Sequence, residues 1–337
     1  MKWIEQTNER KRIILDEASA RLKALNNAVE KDLWVTVALK AIFNTAFAKD
    51  IVFKGGTSLS KSWKLIQRFS EDIDLAINRE ALGFGGEISN FKIKQLKKKG
   101  AKFTSTEFME AVEQEMYNLG VEKGTIKIYA EPILANRPDT DPQAIYIDYP
   151  TVLEANEYLL PPVKIEISVR SLIEPAHERE VSSLIDEAIP GNGYAGDPFT
   201  VQAIDPRITF LEKVFLLHEE FTKPRDKIRT VRMSRHLHDL EKTMDTDFGR
   251  AAISDQQLYD QLIAHRRHFI RQQNVSYDLH GRETLQFLPV GDLLQQYGED
   301  YELMKANMFR GEATSFKVVI ERLTELQNRI KQFNASA

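Results

Sequence analysis

The stretch KGGTSLSKSWKLIQRFSEDIDLAI, from Lys54 to Ile77, restricts the fold more than any other part of the chain. Ile51-Val52-Phe53 is a short β-prone run closed by Gly55-Gly56, Ser58 to Gln67 has the spacing of a helix, and Ile73 to Ile77 returns to a strand. The order is strand, glycine turn, helix, strand. Successive side chains of an extended segment point to opposite faces. Asp72 and Asp74 therefore share one face, while Ile73, Leu75 and Ile77 enter the core from the other. Two carboxylates held so close repel, and a Mg²⁺ ion between them, completed by triphosphate oxygens, removes that cost. Upstream, Gly55 and Gly56 let the backbone approach a ligand without Cβ interference, and Thr57 or Ser58 opens the next helix with hydroxyl and amide donors for phosphate. An Asp-x-Asp alone is common on strand edges and a Gly-Gly is usually only a turn. Joined by a helix of suitable length, with an apolar opposite face, they predict a phosphate cradle facing a metal clamp.

Around this centre the chain reads as α+β. Helical spacing runs from about Trp3 to Phe47 without proline or glycine, and Thr106 to Leu119 is a further helix. Thr125 to Ala130, Ala144 to Tyr149 and Val163 to Val169 are strands. After the turn-rich Pro190 to Pro198, long helices are predicted over Thr209–Phe221, Ile228–Met244, Asp255–Arg271 and Ser315–Phe333. A boundary near residue 200 separates a core with a helical lead-in, 1–200, from a mainly helical domain, 201–337. On the strand from Val163, the polar residues Lys164, Glu166, Ser168 and Arg170 alternate with apolar ones, which makes Glu166 either a third carboxylate of the site or the partner of Lys164 or Arg170 in a salt bridge.

Several function classes are excluded. The absence of cysteine removes disulfides, thiolate zinc sites and cysteine nucleophiles. His218-Glu219-Glu220-Phe221-Thr222 begins like a zinc-protease helix but has Thr222 in place of the second histidine, and GGTSLSK lacks the ending of a P-loop. The charged N-terminus is neither a secretory signal nor a membrane span, so the cytoplasm is the expected location, with no membrane partner. The net charge of −4 argues against indiscriminate nucleic-acid binding, yet local basic patches stand out. One spans Lys92 to Lys102, expected as solvated surface or a mobile loop, and another runs from Lys223 to Arg235 and suits an RNA backbone.

Gly55-Gly56-Thr57-Ser58-Leu59 followed by Arg68-Phe69-Ser70-Glu71-Asp72-Ile73-Asp74-Leu75 resembles the first motif of the AbiEii/AbiGii-type nucleotidyltransferases, toxins of bacterial toxin–antitoxin and phage-defence systems. Asp205-Pro206 with Leu211-Glu212-Lys213 resembles that family's lysine-bearing helix. The run from Arg232 to Leu240 resembles a later acidic segment in which Asp239 matches the last aspartate, while Arg235 or His236 replaces the first. The resemblance implies a polymerase-β-like core with a mixed sheet, N-terminal helices and a C-terminal helical domain that contributes Lys213 and Asp239. It implies Mg²⁺ on Asp72 and Asp74, an NTP held by Gly55, Gly56, Thr57, Ser58 and Lys213, and transfer of NMP to an acceptor hydroxyl, the tRNA 3′ end first among candidates. It also implies a cognate antitoxin encoded nearby. By analogy with polymerase-β-like enzymes, Glu166 is the third acid. The alternatives are nucleotidyl or phosphoryl transfer to a protein or small molecule, and a catalytically inactive nucleotide-binding partner protein.

Overall fold

The apolar residues on either side of the Gly55-Gly56 turn form the centre of a seven-stranded mixed sheet. In the computed structural model, which describes residues 1–159 and 161–333, β1 (Ile51–Lys54) and β2 (Ile73–Ile77) run antiparallel, with Ile51 opposite Ile77 and Lys54 opposite Asp74. β3 (Lys127–Ala130), β4 (Gln143–Asp148), β5 (Val163–Ser168), β6 (Ala176–Val181) and β7 (Phe199–Ile204) complete the order β3-β4-β5-β2-β1-β7-β6. β5 is parallel to β2 and β7 parallel to β1, and the other pairings are antiparallel. Phe53, Ile73, Leu75, Ile145, Ile147, Val163, Ile165 and Ile167, on one face, are all 1% exposed or less. Burial of that many branched and aromatic side chains, each contributing about 1.5–3 kcal/mol, is the main driving force for the sheet.

The helices of this unit are α1 (Asn8–Leu22), α2 (Asn26–Asn44), α3 (Gly55–Lys61), α4 (Asn90–Phe103), α5 (Met109–Asn118) and α6 (Leu184–Ala188). α2 packs on β5, β7 and α5. The helical lead-in expected from about Trp3 to Phe47 is two helices, divided where Lys23 takes a left-handed conformation that ends α1. No glycine or proline marks that turn. The lysine-rich segment is no loop: Ser89 caps α4, Ile93, Leu96, Ala101 and Phe103 are buried, and Lys92, Lys94, Lys98, Lys99 and Lys102 lie on its exposed side. The helix expected over Ser58–Gln67 begins at Gly55 and ends at Lys61.

The chain divides into two compact units, Met1–Ile204 and Asp205–Ala337. The expected division at residue 200 falls inside β7, whose hydrogen bonds to β1 and β6 bind it to the sheet. The second unit is helical: α7 (Pro206–Phe221), α8 (Ser234–Thr243), α9 (Asp247–Ser254), α10 (Gln256–His265), α11 (Asp292–Met308) and α12 (Phe316–Gln332). Asp205 caps α7 by accepting from the Arg207 N–H, and Pro206 occupies its first turn. The helix expected from Ile228 begins only at Ser234. Arg232 is left-handed there, and Asp300 accepts from the Arg232 and Ser234 N–H groups and the Ser234 hydroxyl. No helix in the described residues is long and apolar enough to cross a membrane.

The His218-Glu219 pair belongs to the core of this second unit. Glu219 receives both Arg266 Nε at 2.7 Å and Nη2 at 2.5 Å, and lies 3.1 Å from His280 Nε2. His218 Nδ1 accepts from the Gln286 N–H at 3.1 Å. Burial, and then the neighbouring His280, push the His218 pKa down to about 4. A histidine depressed in the fold binds its proton more readily when unfolded, so its contribution is present above pH 6.5 and is lost as pH falls toward 4. Denaturant midpoints measured across that window should decline for the wild type. His218→Asn, whose amide oxygen can still accept from Gln286, should flatten the decline.

Candidate active site

β2 carries Asp74 on the sheet face opposite the apolar core, and Asp72 stands one residue before the strand, both half-buried. The register sets Asp74 beside Glu166 of β5 and opposite Lys54 of β1, and Ile73 beside Ile165, so the Asp72 position continues toward Lys164. Asp72, Asp74 and Glu166 are therefore brought to one face. Glu166 is also ion-paired: its Oε1 lies 2.7 Å from Lys164 Nζ. The salt-bridge reading of Glu166 is met by Lys164, and the register leaves Glu166 on the same sheet face as Asp74. Burial works against the Lys164 charge, but the hydrogen bond and charge of Glu166, with Asp72 and Tyr146 behind them, hold its pKa above the ordinary range.

Gly55 is the close approach that the turn required. Its φ is +76°, and a Cβ there would stand 2.0 Å from Asp74 Oδ2. The carboxylate thus occupies the place of a side chain at residue 55, next to the first amides of α3. Thr57 departs from its expected role. It is fully buried, and its hydroxyl bonds the Asp72 carbonyl, with Ser70 Oγ at 2.9 Å, so it stitches α3 to the start of β2 and offers no side-chain donor to phosphate. Ser58 is 1% exposed, and among the described residues its hydroxyl has no hydrogen-bond partner.

The loop from α3 to β2 is held from below by two consecutive residues of α2. Lys31 Nζ meets Glu71 at 2.6 Å, and Asp32 Oδ1 receives Lys61 Nζ at 2.7 Å while its Oδ2 accepts from the Leu184 N–H. All four side chains are buried. One pair secures the residue before Asp72, and the other secures the end of α3. Sequence reasoning missed both, although Glu30-Lys31-Asp32 interrupts an apolar helix where only paired charges survive burial.

Within the second unit, Lys213 of α7 and Asp239 of α8 meet at 3.0 Å, and His236 Nδ1 lies 3.4 Å from Lys213 Nζ. The two residues carried over from separate motifs are thus neighbours, the lysine 7% exposed and the aspartate fully buried.

The donor set suits a hard cation. Among the described residues no group of three or more His, Asp or Glu side chains forms a ready metal cage. Mg²⁺ does not need one, since it takes one or two carboxylates and completes its octahedron with water and substrate phosphates. Asp72 and Asp74, on one sheet face, are the two that could hold it.

The chain matches the family described as "Nucleotidyl transferase AbiEii toxin, Type IV TA system" over residues 37–322. No curated protein matches it significantly. Among solved structures, it is similar to MenT4, a nucleotidyltransferase toxin from Mycobacterium tuberculosis H37Rv, at 16% identity and a TM-score of 0.43 over 95% of this chain and 97% of that one. It is also similar to JHP933 from Helicobacter pylori, at 15% identity and a TM-score of 0.43 over 92% and 94%.

Two substitutions probe this architecture. Gly55→Ala combines a left-handed backbone, costing about 1–3 kcal/mol, with displacement of the Asp74 carboxylate. It should lower the melting temperature and weaken binding of Mg²⁺ with nucleotide, read by calorimetry. Asp32→Ala leaves Lys61 buried without its carboxylate, for which a loss of about 3–5 kcal/mol in denaturant unfolding is expected. A loss under 1 kcal/mol would mean that the pair does not hold the loop.

Proposed function

Because the chain belongs to the AbiEii nucleotidyltransferase toxin family of type IV toxin–antitoxin systems, we propose that it moves a nucleoside monophosphate from an NTP to an acceptor hydroxyl, that of the tRNA 3′ end. The observation that carries this reading is the placing of Asp72, Asp74 and Glu166 on one sheet face with the Gly55 backbone against Asp74. In this scheme Asp72 and Asp74 hold Mg²⁺, which when bound neutralises triphosphate charge and stabilises the attacking and leaving oxygens. The amides of Gly55, Gly56 and Thr57 and the hydroxyl of Ser58 receive the phosphates. Glu166 takes the proton of the acceptor hydroxyl on Oε2, its Oε1 being engaged by Lys164. Lys213, oriented by Asp239, is assigned to the triphosphate on the strength of the family motif. The proposal extends to a cognate antitoxin, which a type IV toxin–antitoxin family implies, and to action in the cytoplasm.

Attack on the α-phosphorus leaves the NMP on the acceptor and releases pyrophosphate. Total tRNA incubated with Mg²⁺ and each α-³²P-labelled NTP should therefore acquire label, whereas γ-labelled NTP should give none. Asp74→Ala should lower incorporation on the order of 10²–10³-fold, and chelation of Mg²⁺ should abolish it. Label transferred from the γ position would replace the proposal with phosphoryl transfer.

A further inference from the structure

The polar face that carries the carboxylates continues across β5, β4 and β3. Tyr146 of β4 pairs with Lys164 of β5 on one side and with Tyr129 of β3 on the other, which extends the row that starts at Asp72. The two tyrosine rings lie 5.4 Å apart with 20° between their planes, and both residues are half-buried. Tyr129 donates its hydroxyl to Asp148 at 3.3 Å, and Lys127 Nζ stands 5.3 Å from its ring centroid. Tyr146 adjoins the site: burial, opposed by the charge of Lys164 and aided by those of Glu131, Glu166 and Asp72, pushes its phenol pKa up. Phenols on a strand's polar face are not needed for the core, which the opposite face supplies.

Direction of attack gives this row a purpose. The phosphate-receiving segment Gly55–Ser58 follows β1, which borders β2 on one side, while β5, β4 and β3 extend from the other. In-line displacement sends pyrophosphate toward the β1 side and brings the acceptor from the β5 side. Two strand spacings, roughly 10 Å, separate β2 from β4.

We infer that the Tyr146–Tyr129 pair is the acceptor platform, on which an unpaired base at the 3′ end of a single-stranded nucleic acid stacks while Lys164 and Lys127 meet its backbone phosphates. The inference rests on the nucleotidyl-transfer reading for its direction of approach. Stacking on aromatic rings accepts any base but requires one that is unpaired, so it selects a single-stranded end over a duplex or a polypeptide.

The test uses the full chain and a short single-stranded RNA bearing 2-aminopurine at its 3′ terminus. Wild type should quench the fluorophore on binding. Tyr146→Leu should lose the quench and weaken RNA binding roughly ten-fold, with the KM for RNA raised and that for NTP unchanged. Tyr146→Phe should retain both properties, and Tyr129→Leu, at the outer position, provides a second variant. Wild-type quench and affinity in both leucine variants would overturn the platform, even with RNA still labelled, and would leave nucleotidyl transfer standing. Tyrosine-dependent binding with no incorporation from any NTP would uphold base stacking on the tyrosines but sink nucleotidyl transfer, and with it the platform's role in presenting an acceptor. Labelling of a protein in place of RNA, with no RNA bound, would overturn the platform in favour of a polypeptide acceptor.

Discussion

A carboxylate can fill the place of a side chain only where the main chain has no Cβ. At residue 55 the left-handed backbone and the Asp74 oxygen 2.0 Å from the missing atom impose the same requirement twice. The antiparallel register of β1 and β2 sets Lys54 opposite Asp74, so the turn that follows β1 closes over the carboxylate itself. From this contact the Gly55-Gly56 turn and the acidic strand acquire their relative positions, and the helix between them has little freedom left.

What keeps that contact in place is electrostatic as well as apolar. Lys31 and Asp32 are adjacent on α2, yet one reaches Glu71 beside the acidic pair and the other reaches Lys61 at the end of α3. Burying four charges is costly, and such pairs add less to net stability than a well-packed apolar cluster does. They do specify geometry, because a register slip would leave uncompensated charge in the core. The Thr57 hydroxyl, bonded to the Asp72 carbonyl, adds a third tie between the same elements. The second unit follows the same rule, with Glu219 shared between Arg266 and His280, and Asp239 set against Lys213.

Much of the fold was legible because each face of its strands has a distinct chemistry. Ile73 to Ile77 formed the expected strand, and Glu166 came to the same face as Asp74. β6, read as Ala-His-Glu-Arg-Glu-Val, is mostly exposed and edge-bound and has no apolar alternation to reveal it. α11 was missed for another reason. Leu293, Tyr297, Asp300, Tyr301, Met304 and Met308 keep helical spacing, but a buried aspartate interrupts the stripe until it is known to cap α8. The break at Lys23 has no local signal, because a lysine adopts a left-handed turn only when the packing of α1 on α2 offsets the strain.

The sequence by itself determined the side-chain pattern: two carboxylates on one strand face, a glycine turn before them, and the α+β alternation, all consequences of side-chain type and a period of two or 3.6. Tertiary structure decided which groups share a neighbourhood. Strand order brought β5 beside β2, although some ninety residues separate them, and thereby joined Glu166 and Lys164 to the acidic pair. It also spent the Thr57 hydroxyl on the backbone and stacked Tyr129 on Tyr146. Local periodicity sets where a side chain points, but only the sheet's pairing order and register set what it meets.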